Sequence, residues 1–416
     1  MIEGMTDVRP GLEGVVAAST RLSSVDGEAG RLVIGGYAVE EIAPRAELEE
    51  MIYLLWNGTL PRRDELAALR QRFAAAAPLP EGVLDLLRSA ARNRRAPMDA
   101  LRMAAAALDI DGAYGDAMDG AGDSVGGSAY DGARDGAGDG TGDGASDGAR
   151  DDAMDAAVTI AARVPTIVAT YWRLLQGAAP VVETPAGAGI AARYLTMLEG
   201  REPAPARVRA LETYLNTIVD HGLNASTFTA RIVASTGSDL VSAIAAGVGA
   251  LKGPLHGGAP GPALEMVFEI GSVDRAEDYL REKLARGERL MGFGHRVYRV
   301  RDPRADVLAA AARELFAEDG DAELYELATG VERIALRLLE EAKPGRRLQT
   351  NVEFYTALLL HGLGLPVELF TPTFAVGRVA GWLAHALEQR REGRLIRPAS
   401  VYTGAVDGRW TSIEDR

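Results

Sequence analysis

The sequence predicts an all-α fold. Apolar residues recur at helical spacing in one segment after another from Leu48 onward, whereas strand-like patterns are confined to residues 12–43. Apolar residues make up 47% of the chain and charged residues 25%, which is ordinary for a soluble globular protein. A chain of 416 residues can therefore hold one large helical domain or two unequal ones.

The first elements follow from local patterns. Residues 12–43 predict a short extended opening, with a turn at 26–28 and an apolar run at 32–37. A helix follows, because one of its faces carries an apolar stripe formed by Leu48, Ile52, Leu55 and Trp56. Gly58 and Pro61 are expected to end this helix.

The remainder of the chain predicts a series of helices separated by Gly, Pro and polar residues. Asp64 and Ser238 are expected to cap two of them at the N-terminus. The expected spans are 64–75, 81–94, 97–108, 153–176, 187–198, 203–219, 226–235, 239–251, 274–286, 303–317, 322–341, 352–362 and 372–391.

Residues 110–152 differ from the rest of the chain. Aspartate recurs every four residues there, usually followed by glycine, at Asp131, Asp135, Asp139, Asp143, Asp147 and Asp151. Small residues and mutually repelling carboxylates cannot bury a core, so we expect a disordered acidic insert. The alternative is a calcium-binding repeat, but the segment lacks the apolar position and nine-residue period of calcium-binding β-rolls.

The charge of the chain limits its partners. The net charge is -14, and eleven Asp and two Arg within residues 110–152 contribute -9, which leaves -5 for the remainder. This mild balance does not indicate a nucleic-acid surface. No run of about 18 uncharged apolar residues occurs, so we expect no membrane span. The N-terminal residues form no signal segment and the chain has no cysteine, so a cytoplasmic enzyme is the simplest interpretation.

The segment 291–304, MGFGHRVYRVRDPR, is the most informative motif. His295 lies in a turn bracketed by Gly292 and Gly294, which allow a ligand to approach the main chain closely. A single acid, Asp302, accompanies four arginines, namely Arg296, Arg299, Arg301 and Arg304. Arginine suits carboxylates and phosphates, because its donors lie in one plane. The motif therefore predicts a site for an anionic ligand. The alternative is a solvated basic surface beside a buried histidine.

Two other histidines have similar surroundings, His221 in DHGLNAST and His256 in KGPLHGGAPG. The nearby glycines favour a backbone cleared around a ligand shared with His295. Zinc is the alternative, but separations of 35 and 39 residues, without cysteine or an i+4 pair, disfavour it, and no metal is expected. His361 and His385 lie on apolar helical patterns and are interpreted as packing or surface residues.

Three further charged residues are candidates. Glu353, in QTNVEFYTALLL, begins an apolar helix, where partial desolvation would raise its basicity. The alternative is an acid that only favours the helix dipole. Arg378 lies on a predicted helix rich in Gly and Ala, an unusual place for a guanidinium unless it meets an anion, and Arg397 lies in the C-terminal region beside Pro398.

Six motifs in order closely resemble those of the citrate synthase family: HGLNAST, GPLHGGA, GFGHRVYRVRDPR, NVEFY, GRVAGW and RPASVYTG. The N-terminal segments SVDGEAGRLVIGGY and EEMIYLLWNGTLP, and APMDALRMA, also fit, so only residues 110–152 are not covered. The resemblance implies an all-α homodimer with two domains per subunit. The large domain would comprise residues 1–255 and 363–416, and the small domain, residues 256–362, would close over the ligands.

The resemblance also implies roles for individual residues in a reaction that forms citrate from acetyl-CoA and oxaloacetate. No permanently bound cofactor would be needed. Glu353 would take a proton from the methyl group of acetyl-CoA, His256 would support the enol, and His295 would polarise the ketone of oxaloacetate. The carboxylates of oxaloacetate would be held by His221, Arg304, Arg378 and, from the partner subunit, Arg397. Contacts with the phosphates of CoA would come from Arg299, Lys343, Arg346 and Arg347, for which exposed surface charge is the alternative.

Glu353 departs from the family pattern, in which the base is usually an aspartate. The extra methylene moves the carboxylate by about a bond length, and a shift of about 1 Å at a reacting group can cost 10²-fold in rate. Two alternatives therefore stay open: a 2-methylcitrate synthase that uses propionyl-CoA, and a non-catalytic CoA- or tricarboxylate-binding paralogue. Discrimination of one methylene is worth about 1–3 kcal/mol and leaves no readable mark in the sequence.

Overall fold

The computed structural model describes residues 8–110, 147–257, 260–295, 297–319 and 321–416. Most of the expected disordered insert falls on residues 111–146, which lie outside the described residues. The prediction for the end of the insert needs correction, because a helix begins at Asp147 rather than near residue 153.

A small antiparallel sheet opens the fold. Its three strands, in the order β1-β2-β3, are β1 Ser23–Asp26, β2 Arg31–Ile34 and β3 Tyr37–Ala38. In strand β2, Leu32 and Ile34 are buried, whereas Arg31 and Val33 are more exposed. This alternation is expected of a strand that has one face on the core. The short extended opening is thus confirmed for residues 23–38.

Helices form almost all of the remaining secondary structure. The first eight are α1 Val39–Ile42, α2 Leu48–Asn57, α3 Arg63–Ala76, α4 Glu81–Arg92, α5 Pro97–Ala106, α6 Asp147–Leu175, α7 Ile190–Glu199 and α8 Pro205–Ile218. The next eight are α9 Ala225–Ser235, α10 Leu240–Leu251, α11 Pro260–Ile270, α12 Val273–Ala285, α13 Pro303–Asp319, α14 Ala322–Ala342, α15 Val352–Gly362 and α16 Phe370–Glu392. The all-α prediction is confirmed.

Helix α16 is the centre of the larger body of helices. Its side chains are buried over nearly its whole length, and it packs against α2, α5, α6, α8, α9 and α10. The second body contains α11 to α15, in which α13 packs on α15 and also reaches α1 and α8. Helix α13 therefore lies between the two groups, where its first turn can carry residues to a site shared by both.

Helix α6 includes a stretch, Asp151–Leu175, that is long and apolar enough to cross a membrane, with a mean hydropathy of 1.3. Within the described residues it is the one helix with this property, and 67% of its apolar 18-residue window is buried inside the protein. It packs against α3, α4, α5, α7 and α16. These contacts are typical of the core helix of a globular protein.

Several local predictions need correction. Helix α3 begins at Arg63, and the side chain that binds the main-chain N–H of Arg62 is Glu65, so Asp64 is not its cap. Helix α10 is capped by Asp239, which accepts from Ser242 N at 2.6 Å, rather than by Ser238. Helix α11 was not predicted, because the Gly- and Pro-rich sequence at its start is typical of a loop. Proline is nevertheless well accepted in a first helical turn.

Candidate active site

Five side chains selected from the sequence come together where the two groups of helices meet. His221 follows α8, and its ring centroid lies 5.9 Å from that of His295, which precedes α13. Arg304, in the first turn of α13, brings Nη2 to 3.4 Å from His295 Nε2. Arg378 on α16 acts electrostatically, together with Arg304, on both His221 and Glu353. The fold thus unites residues that are more than 150 positions apart in the chain.

The turn that carries His295 depends on its two glycines. Gly292 has a φ of 87° and Gly294 a φ of 84°, values that residues with side chains rarely adopt. A Cβ atom on Gly292 would also lie only 2.9 Å from Cβ of Phe354. The turn can therefore pack directly on the first turn of α15, as the glycines of the motif suggested.

Hydrogen bonds join this turn to the segment that leads into α15. Gly294 N donates to Gln349 O at 2.7 Å, and Asn351 N donates to Gly292 O at 3.0 Å. The Asn351 side chain adds two bonds, because Nδ2 donates to Gly294 O at 2.8 Å while Oδ1 accepts from Glu353 N at 3.0 Å. One asparagine thus caps the helix of Glu353 and fixes the histidine turn against it.

The protonation of His295 follows from its main-chain contacts. Its Nδ1 accepts hydrogen bonds from Val297 N at 3.0 Å and from Tyr298 N at 3.1 Å. We therefore assign the ring proton to Nε2. Burial, followed by the charge of Arg304, lowers the pKa of His295 to about 4. At neutral pH the ring is a neutral imidazole that can donate from Nε2.

Arg304 is held rigidly by Asp302. Its Nε donates to Oδ1 at 3.0 Å and its Nη2 to Oδ2 at 2.7 Å, and both residues are buried. Burial alone would raise the pKa of Asp302, but the charge and hydrogen bonds of Arg304 outweigh it and hold that pKa below its ordinary value. Nη2 of Arg304 and Nε2 of His295 are both donors, so they are placed to bind the same anionic or carbonyl oxygen.

Arg378 is a buried cation that forms no ion pair with an acid among the described residues, although Asp220 and Glu353 act on it electrostatically. Its side chain is 2% exposed, and Nε donates to Ile218 O at 2.6 Å. Burial lowers the pKa of Arg378 to about 10. Because a buried charge is costly unless it is paired, this arrangement favours an anionic ligand as the partner.

His221 is held neutral beside these cations. Its Nε2 lies 3.1 Å from the hydroxyl oxygen of Tyr298. Burial, followed by the charges of Arg304 and Arg378, lowers the pKa of His221 well below its ordinary value. It can therefore act as a neutral hydrogen-bonding group that adds no further charge to the site.

Glu353 has the properties of a general base. Burial raises the pKa of its carboxyl group to about 7, although Arg304 and Arg378 act in the opposite direction. A carboxylate with a pKa near the working pH accepts protons more readily than an ordinary one. It lies in the first turn of α15, fixed by the Asn351 cap, and its carboxyl group interacts electrostatically with Arg304 and Arg378.

His256 is hydrogen-bonded to Ser226, which lies on α9 in the larger body of helices. Its Nε2 lies 2.8 Å from Ser226 Oγ, which also accepts from Trp382 Nε1 at 3.1 Å. The hydroxyl proton of Ser226 has two acceptors available, His256 Nε2 and Asn224 Oδ1 at 2.9 Å. Burial, followed by the charge of Arg378, lowers the pKa of His256 to about 4, so this ring is also neutral.

A cavity of about 460 Å³ opens beside His295. It is lined by three of the four residues expected to contact CoA, namely Arg299, Lys343 and Arg346. Leucines at 290, 339 and 348 supply apolar surface. The fourth residue, Arg347, does not line this cavity.

Arg397 is not brought to the site by its own chain. It is exposed in the irregular segment that follows α16. His361 and His385, in contrast, are confirmed as packing residues. His361 stacks edge-on against Phe268, and His385 is buried with Nε2 3.1 Å from Asp220 Oδ1.

The three motif histidines do not form a metal-ligand cluster in the described part of the chain. The single group with suitable spacing there is Glu47, Glu49 and Glu212. Two of these carboxylates already form ion pairs, Glu47 with Arg70 and Glu212 with Arg209.

Sequence reasoning missed three residues that shape the site. Asn351 could have been found, because Asn immediately before an apolar helix is a favoured N-cap. Asp302 was noted only as a lone acid, and its bidentate bond to Arg304 depends on the fold. Tyr298, which contacts the rings of both His221 and His295, left no signal in the sequence.

Comparison with known proteins gives one consistent family. The family model described as "Citrate synthase, C-terminal domain" matches residues 11–399. The chain is 38% identical to a citrate synthase of Haloferax volcanii over 411 residues, which cover 99% of both chains. It is 39% identical to citrate synthase 2 of Bacillus subtilis over 412 residues, which cover 99% of this chain and 100% of the relative.

Solved structures agree. The citrate synthase of Pyrobaculum aerophilum matches with a TM-score of 0.85 and 36% identity, covering 98% of this chain and 95% of that one. A citrate synthase of Thermoplasma acidophilum, solved as a ternary complex with carboxymethyl coenzyme A and oxaloacetate, matches with a TM-score of 0.82 and 29% identity. That match covers 99% of this chain and 100% of the other.

Proposed function

The chain belongs to the citrate synthase family, an enzyme family of acyltransferases, and we propose that it condenses acetyl-CoA with oxaloacetate to form citrate and CoA. One observation carries the proposal: two buried cations, Arg304 and Arg378, act electrostatically on both His221 and Glu353, and Arg304 Nη2 lies 3.4 Å from His295 Nε2. A small dianion that carries a ketone matches this arrangement of two buried cations and neutral histidines.

Oxaloacetate would be oriented before it reacts. Arg304 and Arg378 would bind its carboxylates, with His221 as a further hydrogen-bonding partner. His295 would donate from Nε2 to the ketone oxygen, since its Nδ1 is occupied by main-chain N–H groups. Fixed donors that are already oriented stabilise the charge that develops on this oxygen without the cost of reorganisation.

Glu353 and His256 would then form the nucleophile. The Glu353 carboxylate removes a proton from the methyl group of acetyl-CoA, and His256 donates a hydrogen bond to the thioester oxygen of the resulting enol. Donation from the Ser226 hydroxyl to His256 Nε2 would leave the ring proton on Nδ1, the tautomer that this role requires. General acid–base catalysis by a positioned pair typically contributes about 10²–10⁴-fold in rate.

The remaining steps complete the reaction. The nucleophilic carbon attacks the ketone carbon and a carbon–carbon bond forms. The ketone oxygen takes the proton of His295 Nε2, and protonated Glu353 returns a proton to this ring, so that Glu353 is again a carboxylate and His295 again a neutral imidazole. Water then cleaves the thioester bond of citryl-CoA, which gives citrate and the free thiol of CoA. The reaction needs neither a metal nor a permanently bound cofactor.

The cavity beside His295 supports a binding site for the CoA moiety. Arg299, Lys343 and Arg346 line it and would contact phosphates, while the leucines would pack against apolar parts of CoA. Arg347 is adjacent in sequence and would act at the rim. The relative from Thermoplasma acidophilum is a complex with a CoA derivative and oxaloacetate, in agreement with this proposal.

Domain closure and dimerisation belong to the same proposal. The small domain, residues 256–362, would close on the large domain, residues 1–255 and 363–416, around both substrates. Arg397 is exposed on its own chain and would complete the oxaloacetate site of the partner subunit in a homodimer. The protein would act in the cytoplasm.

Release of free thiol by the purified protein tests the function. The protein is mixed with oxaloacetate and either acetyl-CoA or propionyl-CoA over a range of salt concentrations. We expect a higher kcat/KM with acetyl-CoA. A preference for propionyl-CoA would identify a 2-methylcitrate synthase instead. No thiol release with either, together with protection against heat by oxaloacetate, would indicate a non-catalytic binding protein.

A further inference from the structure

A buried carboxylate, Glu332 on α14, lies behind the candidate site without facing it. The residue is 8% exposed, and its Oε1 accepts from Thr350 Oγ1 at 2.6 Å and from Arg301 Nη1. Its Oε2 accepts from the hydroxyl of Tyr355 at 2.6 Å. Three donors from three different positions of the chain therefore meet on one side chain.

Each partner of Glu332 belongs to a segment that carries part of the chemistry. Arg301 lies six residues after the catalytic His295. Thr350 lies three residues before Glu353, and Tyr355 follows Glu353 by two residues on α15. Helix α14 thus connects the histidine segment with the first turn of the helix that carries the base.

Arg301 strengthens this connection. Besides Glu332 it pairs with Asp306 Oδ1 on α13, and its guanidinium carbon lies 5.8 Å from the ring centroid of Tyr355. Burial disfavours the charge of Arg301, but hydrogen bonds to Glu332 and Asp306 outweigh it and raise the pKa of Arg301 above its ordinary value. The guanidinium therefore connects α13, α14 and α15 through its contacts with Asp306, Glu332 and Tyr355.

We propose that Glu332 is a positioning residue that sets the distance between His295 and Glu353. The inference rests on the proposed function, because it assigns Glu332 to the geometry of that reaction. An ionised carboxylate has only acceptor sites, about four of them, so it can accept from all three donors at once. An amide at the same position removes the negative charge that pairs with Arg301 and replaces one acceptor oxygen by an NH₂ donor. The Tyr355 hydroxyl would then have to accept instead of donate, and the connection between the segments would weaken.

The loss of this tie should affect turnover more than substrate binding. Arg304 is held by its own bidentate bond to Asp302, and Arg378 lies on α16, so the two cations proposed to bind the carboxylates of oxaloacetate should stay in place when Glu332 is changed. A displacement of about 1 Å at a reacting group costs on the order of 10²-fold in rate. Glu332→Gln should therefore lower kcat by about 10–100-fold and change the KM of oxaloacetate by less than about threefold.

The test compares matched variants of the full chain. Glu340→Gln is the control for Glu332→Gln, since Glu340 lies exposed on the same helix. Thr350→Ser keeps the donor to Glu332, whereas Thr350→Val keeps the shape and removes it, so only the valine variant should lose kcat. Circular dichroism confirms that each variant is folded at the assay temperature. A kcat for Glu332→Gln equal to that of Glu340→Gln would overturn the proposal, as would equal losses in the two Thr350 variants.

A crystal structure of Glu332→Gln supplies a readout that does not need turnover. The separation between His295 Nε2 and the Glu353 carboxylate should differ from that in the unmodified protein, and an unchanged separation would refute the positioning role. Thiol release by the unmodified protein is measured in parallel. Its absence would count against the proposed function, whereas normal release together with an unaffected Glu332→Gln would count against this inference alone.

Discussion

The side chain of Asn351 donates a hydrogen bond from Nδ2 to the main-chain oxygen of Gly294 at 2.8 Å. This bond fastens the turn that precedes His295 to the residue that caps the helix of Glu353. The proposed electrophile and the proposed base are therefore held by one short hydrogen-bonded unit. The side chains of His295 and Glu353 can be replaced one at a time, because the hydrogen bonds of Asn351 involve only main-chain atoms of the two segments.

Replacement of His295 by alanine should abolish most of the turnover without unfolding the protein. The ring is the proposed donor to the ketone, and loss of a positioned acid or base typically costs about 10²–10⁴-fold. Thiol release with acetyl-CoA gives kcat, and circular dichroism reports the fold. As a control, His361→Ala changes a partly buried histidine on another surface and should retain near-native kcat. Near-native turnover of His295→Ala would remove the histidine from the mechanism.

Glu353 can be tested with two replacements of different kinds. Glu353→Gln keeps the size and removes the base, so kcat should fall by about 10²–10⁴-fold. Glu353→Asp keeps the charge but withdraws the carboxylate by about one bond length, which should cost about 10–100-fold. If the glutamine variant matched the unmodified enzyme, Glu353 would not be the base. If the aspartate variant were faster, the site would be better adapted to the usual family residue.

The pH dependence of kcat/KM should report Glu353. Its pKa is raised by burial to about 7, whereas burial lowers the pKa of both His256 and His295 to about 4. The base works in its ionised form, so kcat/KM should fall about tenfold per pH unit below pH 7 and reach a plateau above it. Measurement with limiting acetyl-CoA from pH 5 to 9 gives the midpoint. A profile that stays flat down to pH 5 would contradict the assignment of the base to Glu353, and would agree with rate limitation by a histidine whose pKa is about 4.

Residues 112–146 should be dispensable for activity. No motif lies within them, and α6 begins at Asp147, so a deletion that stops there spares the helix. Replacement of the segment by a short Gly/Ser linker should leave kcat within about twofold, because loop length alone changes the free energy of unfolding only slightly. Thermal unfolding checks the fold. A deletion variant that fails to fold would show that the segment is structural.

Glu212 should make the stability depend on pH. Burial raises the pKa of its carboxyl group to about 7 from an ordinary value of 4.5. The folded state thus binds this proton more tightly, and the resulting stability is fully present below 4.5 and is lost as the pH rises through 7. Glu212→Gln, which cannot ionise, should raise Tm by a few degrees at pH 8 and change it little at pH 5.

An exposed residue provides the control for this experiment. Glu326 lies on the surface of α14, and Glu326→Gln should leave Tm unchanged at both pH values. Thermal unfolding followed by circular dichroism gives the difference between each variant and the unmodified protein. Equal effects of Glu212→Gln at pH 5 and pH 8 would contradict the assignment, because they would show that ionisation of Glu212 is not involved.

The sequence by itself determined the helices and the identity of the central side chains. Helical periodicity depends only on neighbours three and four residues apart, so α2 and most later helices could be predicted from local pattern. Glycine at 292 and 294 could be read correctly for the same reason, since a positive φ is a property of the residue itself. The motif order was sufficient to indicate the family.

Only the tertiary structure decided the pKa values, tautomers and hydrogen-bond partners of these side chains. The raised pKa of Glu353 arises from burial where α15 packs against α8 and α13, and the tautomer of His295 arises from two main-chain donors in its own folded loop. The tie through Glu332 joins residues up to 31 positions apart. Desolvation and hydrogen bonding depend on distances in space, and these distances exist only once the helices have packed.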